Sequence, residues 1–169
     1  MNLGDAFIDF NLLGVDDKFC DSTMLSNKKK IVIFFTCNHC PYVHAYEERI
    51  ISLQKDFQEI VDFIGINSND DKTYPEDSFE KMKTRSAENN FNFMYLRDPN
   101  QKTALSYGAT HTPHFFLFSK DRILVYKGKL DDNWSDVDKV KKRYLRDAIL
   151  NDEFEPEDTF PVGCTIKWL

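Results

Sequence analysis

Cysteine is scarce in this sequence, four in 169 residues. That is too few to staple a scaffold, and a chain of this length buries enough core to hold its fold without staples. No stretch approaches the roughly 20 apolar residues that a membrane-spanning helix needs. A basic surplus is missing as well. The net charge of -6 and a pI near 5.2 argue against a nucleic-acid or anionic-membrane surface. The one basic run, Lys28-Lys29-Lys30, precedes a β-prone stretch and reads as a solvated loop. The opening Met1-Asn2-Leu3-Gly4-Asp5 lacks the basic n-region of an export signal, and acidic residues interrupt the apolar stretch behind it, so a cytoplasmic location is expected. No repeat or low-complexity tract occurs. One domain over 1–169 is expected, with 151–169, which holds two prolines and an acidic cluster, as an irregular tail packed on it.

Between these absences the apolar residues are clearly patterned. Ile31 to Phe35 reads as a buried strand, and Val43, Tyr46, Ile50, Leu53, Phe57 and Ile60 step by threes and fours as one helical face. Val61 to Ile66 is a second strand, and Asn67 to Asp71 a polar loop. Pro75 suits the first turn of a helix running through Phe79 and Met82 to about Asn89, because its missing N–H would be unpaired there anyway. Phe115–Phe118 and Ile123–Tyr126 predict a hairpin, and Ser135 with Asp138 starts a closing helix faced by Val137, Val140, Tyr144, Leu145 and Ala148. Strand and helix alternate before the hairpin, which implies a mixed α/β sheet flanked by helices.

The chemistry concentrates at Cys37-Asn38-His39-Cys40, where the strand gives way to the helix. Two thiols at this spacing can close a small disulfide ring, and a helix N-terminus favours a thiolate. Cys37 is expected to project from the helix start as nucleophile, with Cys40 deeper and resolving the mixed disulfide. His39, if protonated, adds positive charge near the Cys37 sulfur; otherwise it is an exposed loop histidine. Zinc ligation needs a second ligand pair that the sequence does not offer, and Pro41 breaks the CxxCH haem pattern, so neither metal nor cofactor is expected. Cys20, in an expected N-terminal hairpin, reads as packing. Cys164 follows Gly163, whose freedom permits a turn presenting the thiol as a third redox group; burial as a packing cysteine is the competing reading. Thr112-Pro113 stands just before a β-prone run, a place where a strand tolerates a proline.

Taken together, these stretches resemble the thioredoxin superfamily, in its peroxiredoxin-like redoxin branch of AhpC/TSA type. The likeness rests on Gly4–Phe10, FTCNHCPYV (35–43), GINSND (65–70), YPEDSFE (74–80), TPHFFLF (112–118) and the terminal GC-x-IKW (163–168), and spans nearly the whole chain. It implies a thioredoxin-like fold, Cys37 and Cys40 as the redox pair, and Pro113 as a cis-proline facing them. It further implies that the Thr112 backbone pairs with a bound peptide. Two departures stand out. Thr36 occupies the place of a thioredoxin tryptophan, and apolar Ile31–Phe35 the strand that would carry a buried carboxylate.

The resemblance also supplies a rival activity. A peroxiredoxin-like reading makes Cys40 the peroxidatic residue, with Cys37 where that family has threonine; the arginine expected near the later strand is replaced by Pro113, and Arg97 and Arg122 do not fit the pattern. Thiol–disulfide exchange is therefore the expected reaction. Its partners would be a protein or small-molecule disulfide and a thiol electron donor, the chain being a monomer or weak dimer. A redoxin module that binds without turnover is the third reading.

Overall fold

The computed structural model describes residues 1–155 and 159–169. In chain order the elements are β1 (Asn11–Gly14), β2 (Phe19–Asp21), β3 (Lys30–Thr36), α1 (Pro41–Phe57), β4 (Val61–Asn67), α2 (Phe79–Glu88), β5 (Met94–Arg97), α3 (Lys102–Tyr107), β6 (His111–Thr112), β7 (His114–Phe118), β8 (Leu124–Gly128), α4 (Tyr144–Leu150) and β9 (Cys164–Thr165). Seven strands form a mixed sheet in the order β2-β1-β5-β4-β3-β7-β8, and β6 pairs with β9 apart from it. The central β3, β4 and β5 run parallel, while β1, β2, β7 and β8 join by antiparallel pairings.

The sheet is covered on both faces, which explains why β3 reads as an unbroken apolar run rather than an alternation. Val32 and Phe34 pack with Tyr46, Ile50, Leu53 and Phe57 of α1 and with Leu145 and Ile149 of α4. Ile31, Ile33 and Phe35 point the other way, into a cluster with Phe10, Ala104 and Tyr107. Each residue from Ile31 to Phe35 is at most 1% exposed. Burying an aromatic or branched side chain to that degree stabilises by roughly 1.5–3 kcal/mol. Because β3 is held this tightly, the loop at its C-terminal end has a fixed platform.

Several boundaries differ from the sequence reading. Helix α1 stops at Phe57, and Ile60 sits beyond it in a turn, largely exposed. Pro75–Asp77 forms a separate single 3-10 turn; Ser78 is extended (φ -60°, ψ 154°), so α2 begins only at Phe79. The closing helix is also shorter. Val137–Lys139 is another 3-10 turn, and Asp132 ties the chain beyond it by accepting the Lys141 N–H (2.9 Å) while its own N–H donates to the Lys142 carbonyl (3.1 Å). The helix therefore starts at Tyr144, leaving Val137 about half exposed. Cys20 lies in the expected hairpin, opposite Leu12, and packs on the second cluster. The tail, expected to be irregular, contributes a strand: β9 pairs antiparallel with β6, Thr112 opposite Cys164.

Candidate functional site

Helix α1 starts at Pro41, and Cys40 is its N-cap. Cys37 thus lies in the loop leaving β3, and the helix start belongs to Cys40. This reverses the expected geometry. Neither sulfur projects, since Cys37 is 2% exposed and Cys40 0%. Cys37 Sγ is 3.4 Å from Thr112 Oγ1, and the Cys40 thiol donates to the Thr112 carbonyl (3.2 Å). The Thr112-Pro113 bond is cis, and the loop carrying it closes directly over the pair.

Acidity is divided unequally between the two thiols. The pair's first ionisation falls below and its second above the ordinary thiol value. The lower one belongs to Cys40. Its acidity comes first from Cys37 and then, against the opposing cost of burial, from Cys164 and the Val43 and Cys164 backbone N–H groups. Cys37 is pushed well up, first by Cys40, then by burial and by the negative charge of Asp77.

The intervening loop is fixed at four points. Asn38 donates its N–H to Asp77 Oδ1 (2.6 Å) and its amide to the Glu76 carbonyl (2.8 Å); its Oδ1 accepts from Tyr95 (2.8 Å), and its carbonyl faces His44 Nε2 (2.6 Å). Asp77 is fully buried and also accepts from Asn69 Nδ2 (2.8 Å). The buried carboxylate that the strand lacks is therefore delivered from the turn after β4. Sequence reasoning missed it; the Pro75 turn signal was visible, but a turn residue gives no local sign of which way its side chain faces. The Asn67–Asp71 stretch, expected as a polar loop, is largely buried and serves as scaffolding for Asp77 and for the tail.

His39 is more exposed, 28% at its side chain. It stacks flat on Tyr74 (2° between planes) with Nδ1 2.6 Å from Asp77 Oδ2, a charge contact without directed hydrogen-bond geometry. Its imidazole reaches the neighbourhood of Cys37 as expected, but its nearest charge partner is Asp77. Cys37, His39 and Asp77 place ligand-type atoms within 4.8 Å of one another. Among the described residues these three offer a metal donor set, one short of the four that a structural zinc site uses. Counting CxxC pairs could not detect a set assembled from the loop and a distant turn.

The other expected site residues come together at the same place. Cys164 packs with Cys37, Cys40 and Val43. The Thr112 backbone, expected to pair with a peptide, already pairs with Cys164, so an incoming strand would have to take the place of the tail. Arg97 is engaged by the Asn67 carbonyl (3.0 Å) and Asp71 (3.2 Å), and Arg122 by the carbonyls of Leu25, Ser26 and Lys29. Among the described residues, no arginine is hydrogen-bonded to either sulfur of the pair.

A CxxC at the end of a central strand, a cis-proline loop over it and a sheet covered on both faces define a thioredoxin-like fold with a dithiol site. The chain belongs to the Redoxin family, whose model matches residues 2–143. It is similar over 99% of its length to 93% of an uncharacterised conserved protein from Geobacillus kaustophilus, with 36% identity and a TM-score of 0.90. More distantly it shares its fold with the peroxidoxin BcpB from Mycobacterium tuberculosis (20% identity, 75% of this chain and 84% of that one, TM-score 0.63). It also shares it with a putative thiol:disulfide interchange protein DsbE from Chlorobium tepidum (19% identity, 75% and 84%, TM-score 0.62). No curated protein matches the sequence.

Proposed function

We propose that this chain is a thiol–disulfide oxidoreductase whose Cys37/Cys40 dithiol reacts through a mixed disulfide. The observation that carries the reading is the buried sulfur pair itself, with Cys37 Sγ 3.4 Å from Thr112 Oγ1 and Cys40 Sγ 3.2 Å from the Thr112 carbonyl under the Thr112-Pro113 loop, and with no arginine among the described residues bonded to either sulfur. Cys40 is enclosed by the Thr112 carbonyl and Cys164, so Cys37 meets the substrate sulfur, passing its proton to Cys40. Cys37 Sγ then bonds to one substrate sulfur and the other leaves as a thiol. Cys40, deprotonated again at the helix start, attacks Cys37 Sγ and expels the second. The substrate is a protein or small-molecule disulfide, and a thiol donor returns the pair to the dithiol. We place the protein in the cytoplasm as a monomer or weak dimer.

A second reading, thiol peroxidase with Cys40 as peroxidatic residue, is favoured by Cys40 being the more acidic thiol and the helix N-cap. Against it stands the engagement of Arg97 and Arg122 elsewhere, which leaves a peroxide without the charge that stabilises its transition state. Burial of both sulfurs is also what a non-catalytic binding module would show. Trapping separates the three. Cys40→Ser should accumulate a mixed disulfide on Cys37 with a model disulfide, and wild type should turn that disulfide over with a recycling thiol. Hydrogen peroxide consumption that survives Cys37→Ser and disappears in Cys40→Ser would establish the peroxidase instead, and neither activity would leave the binding module.

A further inference from the structure

The tail beyond the domain is built into the site rather than laid over it. Thr112 opposes Cys164 and His111 opposes Thr165 in the β6–β9 pair. Downstream, Ile166 N–H donates to the Thr110 carbonyl (3.1 Å), Lys167 N–H to Asn69 Oδ1 (2.9 Å), and the Lys167 carbonyl accepts from Asp70 N–H (2.8 Å) and Gln101 Nε2 (2.8 Å). Upstream, Gly163 passes so close to the cis-proline loop that an added Cβ would lie 2.2 Å from the Thr112 carbonyl oxygen. Only glycine permits this approach. Its effect is to deliver the Cys164 side chain against the cluster of Cys37, Cys40 and Val43, where Cys164 alone of the three clustered thiols keeps partial exposure.

We propose that Cys164 is a third redox thiol, which takes over the Cys40 end of the Cys37–Cys40 disulfide and connects the buried pair to the reducing thiol outside. The proposal rests on the dithiol reading above. After a substrate disulfide has been reduced, the pair stands as Cys37–Cys40. Cys164, whose thiol is pushed up to about 11 by burial and by Cys40, reacts through its small thiolate fraction and attacks Cys40 Sγ; the Cys40–Cys164 bond forms, the Cys37–Cys40 bond breaks, and Cys37 leaves as a thiolate that takes up the proton Cys164 gave away. No net oxidation occurs in this step. An external thiol then attacks Cys164 Sγ, the exposed end, forming a mixed disulfide there. Cys40 is the leaving group, held as a thiolate at the helix start, and a leaving thiol of that kind departs fast. A second external thiol attacks the mixed disulfide, frees Cys164 as a thiol and leaves joined to the first as their disulfide, the two electrons having passed to the protein.

The relay accounts for three features together: a redox pair with almost no exposure, a strand position beside the cis-proline filled by the chain itself, and a glycine whose contact allows no side chain. A packing cysteine would account for none of them.

The test oxidises the protein with oxidised glutathione, blocks remaining thiols with N-ethylmaleimide, isolates the monomer on a non-reducing gel and maps linked peptides by mass spectrometry. Wild type should show Cys40–Cys164 beside Cys37–Cys40. In Cys37→Ser, Cys40–Cys164 should be the sole intramolecular link, and in Cys164→Ser it should be lost with Cys37–Cys40 retained. Circular dichroism confirms that each variant is folded, and the wild-type map decides even if one is not. Wild type showing Cys37–Cys40 without Cys40–Cys164, or Cys37→Ser ending as glutathionylated Cys40 beside a free Cys164, would overturn the relay while leaving the dithiol reading intact. Cys40–Cys164 without any Cys37–Cys40 would do the reverse, retaining the third thiol and sinking the dithiol.

Discussion

Replacing Asp77 by asparagine should make Cys37 more acidic. The carboxylate and the Cys37 sulfur lie within 4.8 Å of each other, and Asp77 is among the charges that push the Cys37 thiol up. At an effective dielectric constant of about 20, two unit charges at that separation repel by roughly 3 kcal/mol, equivalent to about 2.5 pK units. His39, in contact with the same carboxylate at 2.6 Å, returns part of this when charged. A fall in the upper thiol ionisation is the expected outcome. The exchange also turns one acceptor into a donor facing the Asn38 N–H or the Asn69 amide, a loss of about 1–3 kcal/mol in stability. Thiolate absorbance in the ultraviolet, followed against pH in a Cys20→Ser, Cys40→Ser, Cys164→Ser background with and without the Asp77 change, reads the Cys37 titration as the one thiol left. An unchanged or raised Cys37 titration in a folded Asp77→Asn variant would show that the carboxylate does not act on this sulfur.

The central strands, the position of α1 and the place of the CxxC between β3 and α1 were legible because each follows a local rule. An apolar run bounded by polar residues becomes a buried strand, and Val43 to Phe57 repeat at the helical period. The cis-proline facing the cysteines came from resemblance alone, and the structure shows both the isomer and the contact. What escaped has a common cause, dependence on partners far away in sequence. Met94–Arg97 is only four residues long and gains its strand character from the β4 and β1 neighbours. Asp77 becomes a site residue only because Asn38 and Asn69 meet it, and β9 is a strand only because β6 offers an edge. Cys37 and Cys40 were expected in the reverse order of acidity. Helix α1 begins at Pro41 with Cys40 as its N-cap, so the Val43 N–H serves Cys40 and not Cys37 three residues earlier.

Two further outcomes test how the scaffold holds this arrangement. Gly128 has φ +147°, and a Cβ there would meet the Thr159 carbonyl oxygen at 2.0 Å, so Gly128→Ala should lower stability by about 2 kcal/mol or more in chemical denaturation, and an unchanged midpoint would show that the tail does not pack there as described. His114, beside the cis-proline, gives a pH signature. It is 5% exposed, and burial, helped by the nearby positive groups, draws its pKa down to about 3, whereas an unfolded histidine titrates near 6.5. Between those values the unfolded chain binds a proton that the native chain refuses, so stability is full above about pH 6.5 and declines as the pH falls toward 3. At pH 5 the loss from this one group is about 2 kcal/mol. His114→Phe removes it, at a constant cost of about 1 kcal/mol for the Thr110 N–H that His114 Nδ1 accepts at 3.4 Å. The variant should therefore be the less stable protein at pH 8 and the more stable one at pH 5, a crossing that urea denaturation at the two pH values would reveal. Curves that stay parallel from pH 8 to pH 5 would mean that His114 takes up its proton in the folded state, and with it that the loop over the cysteines admits water.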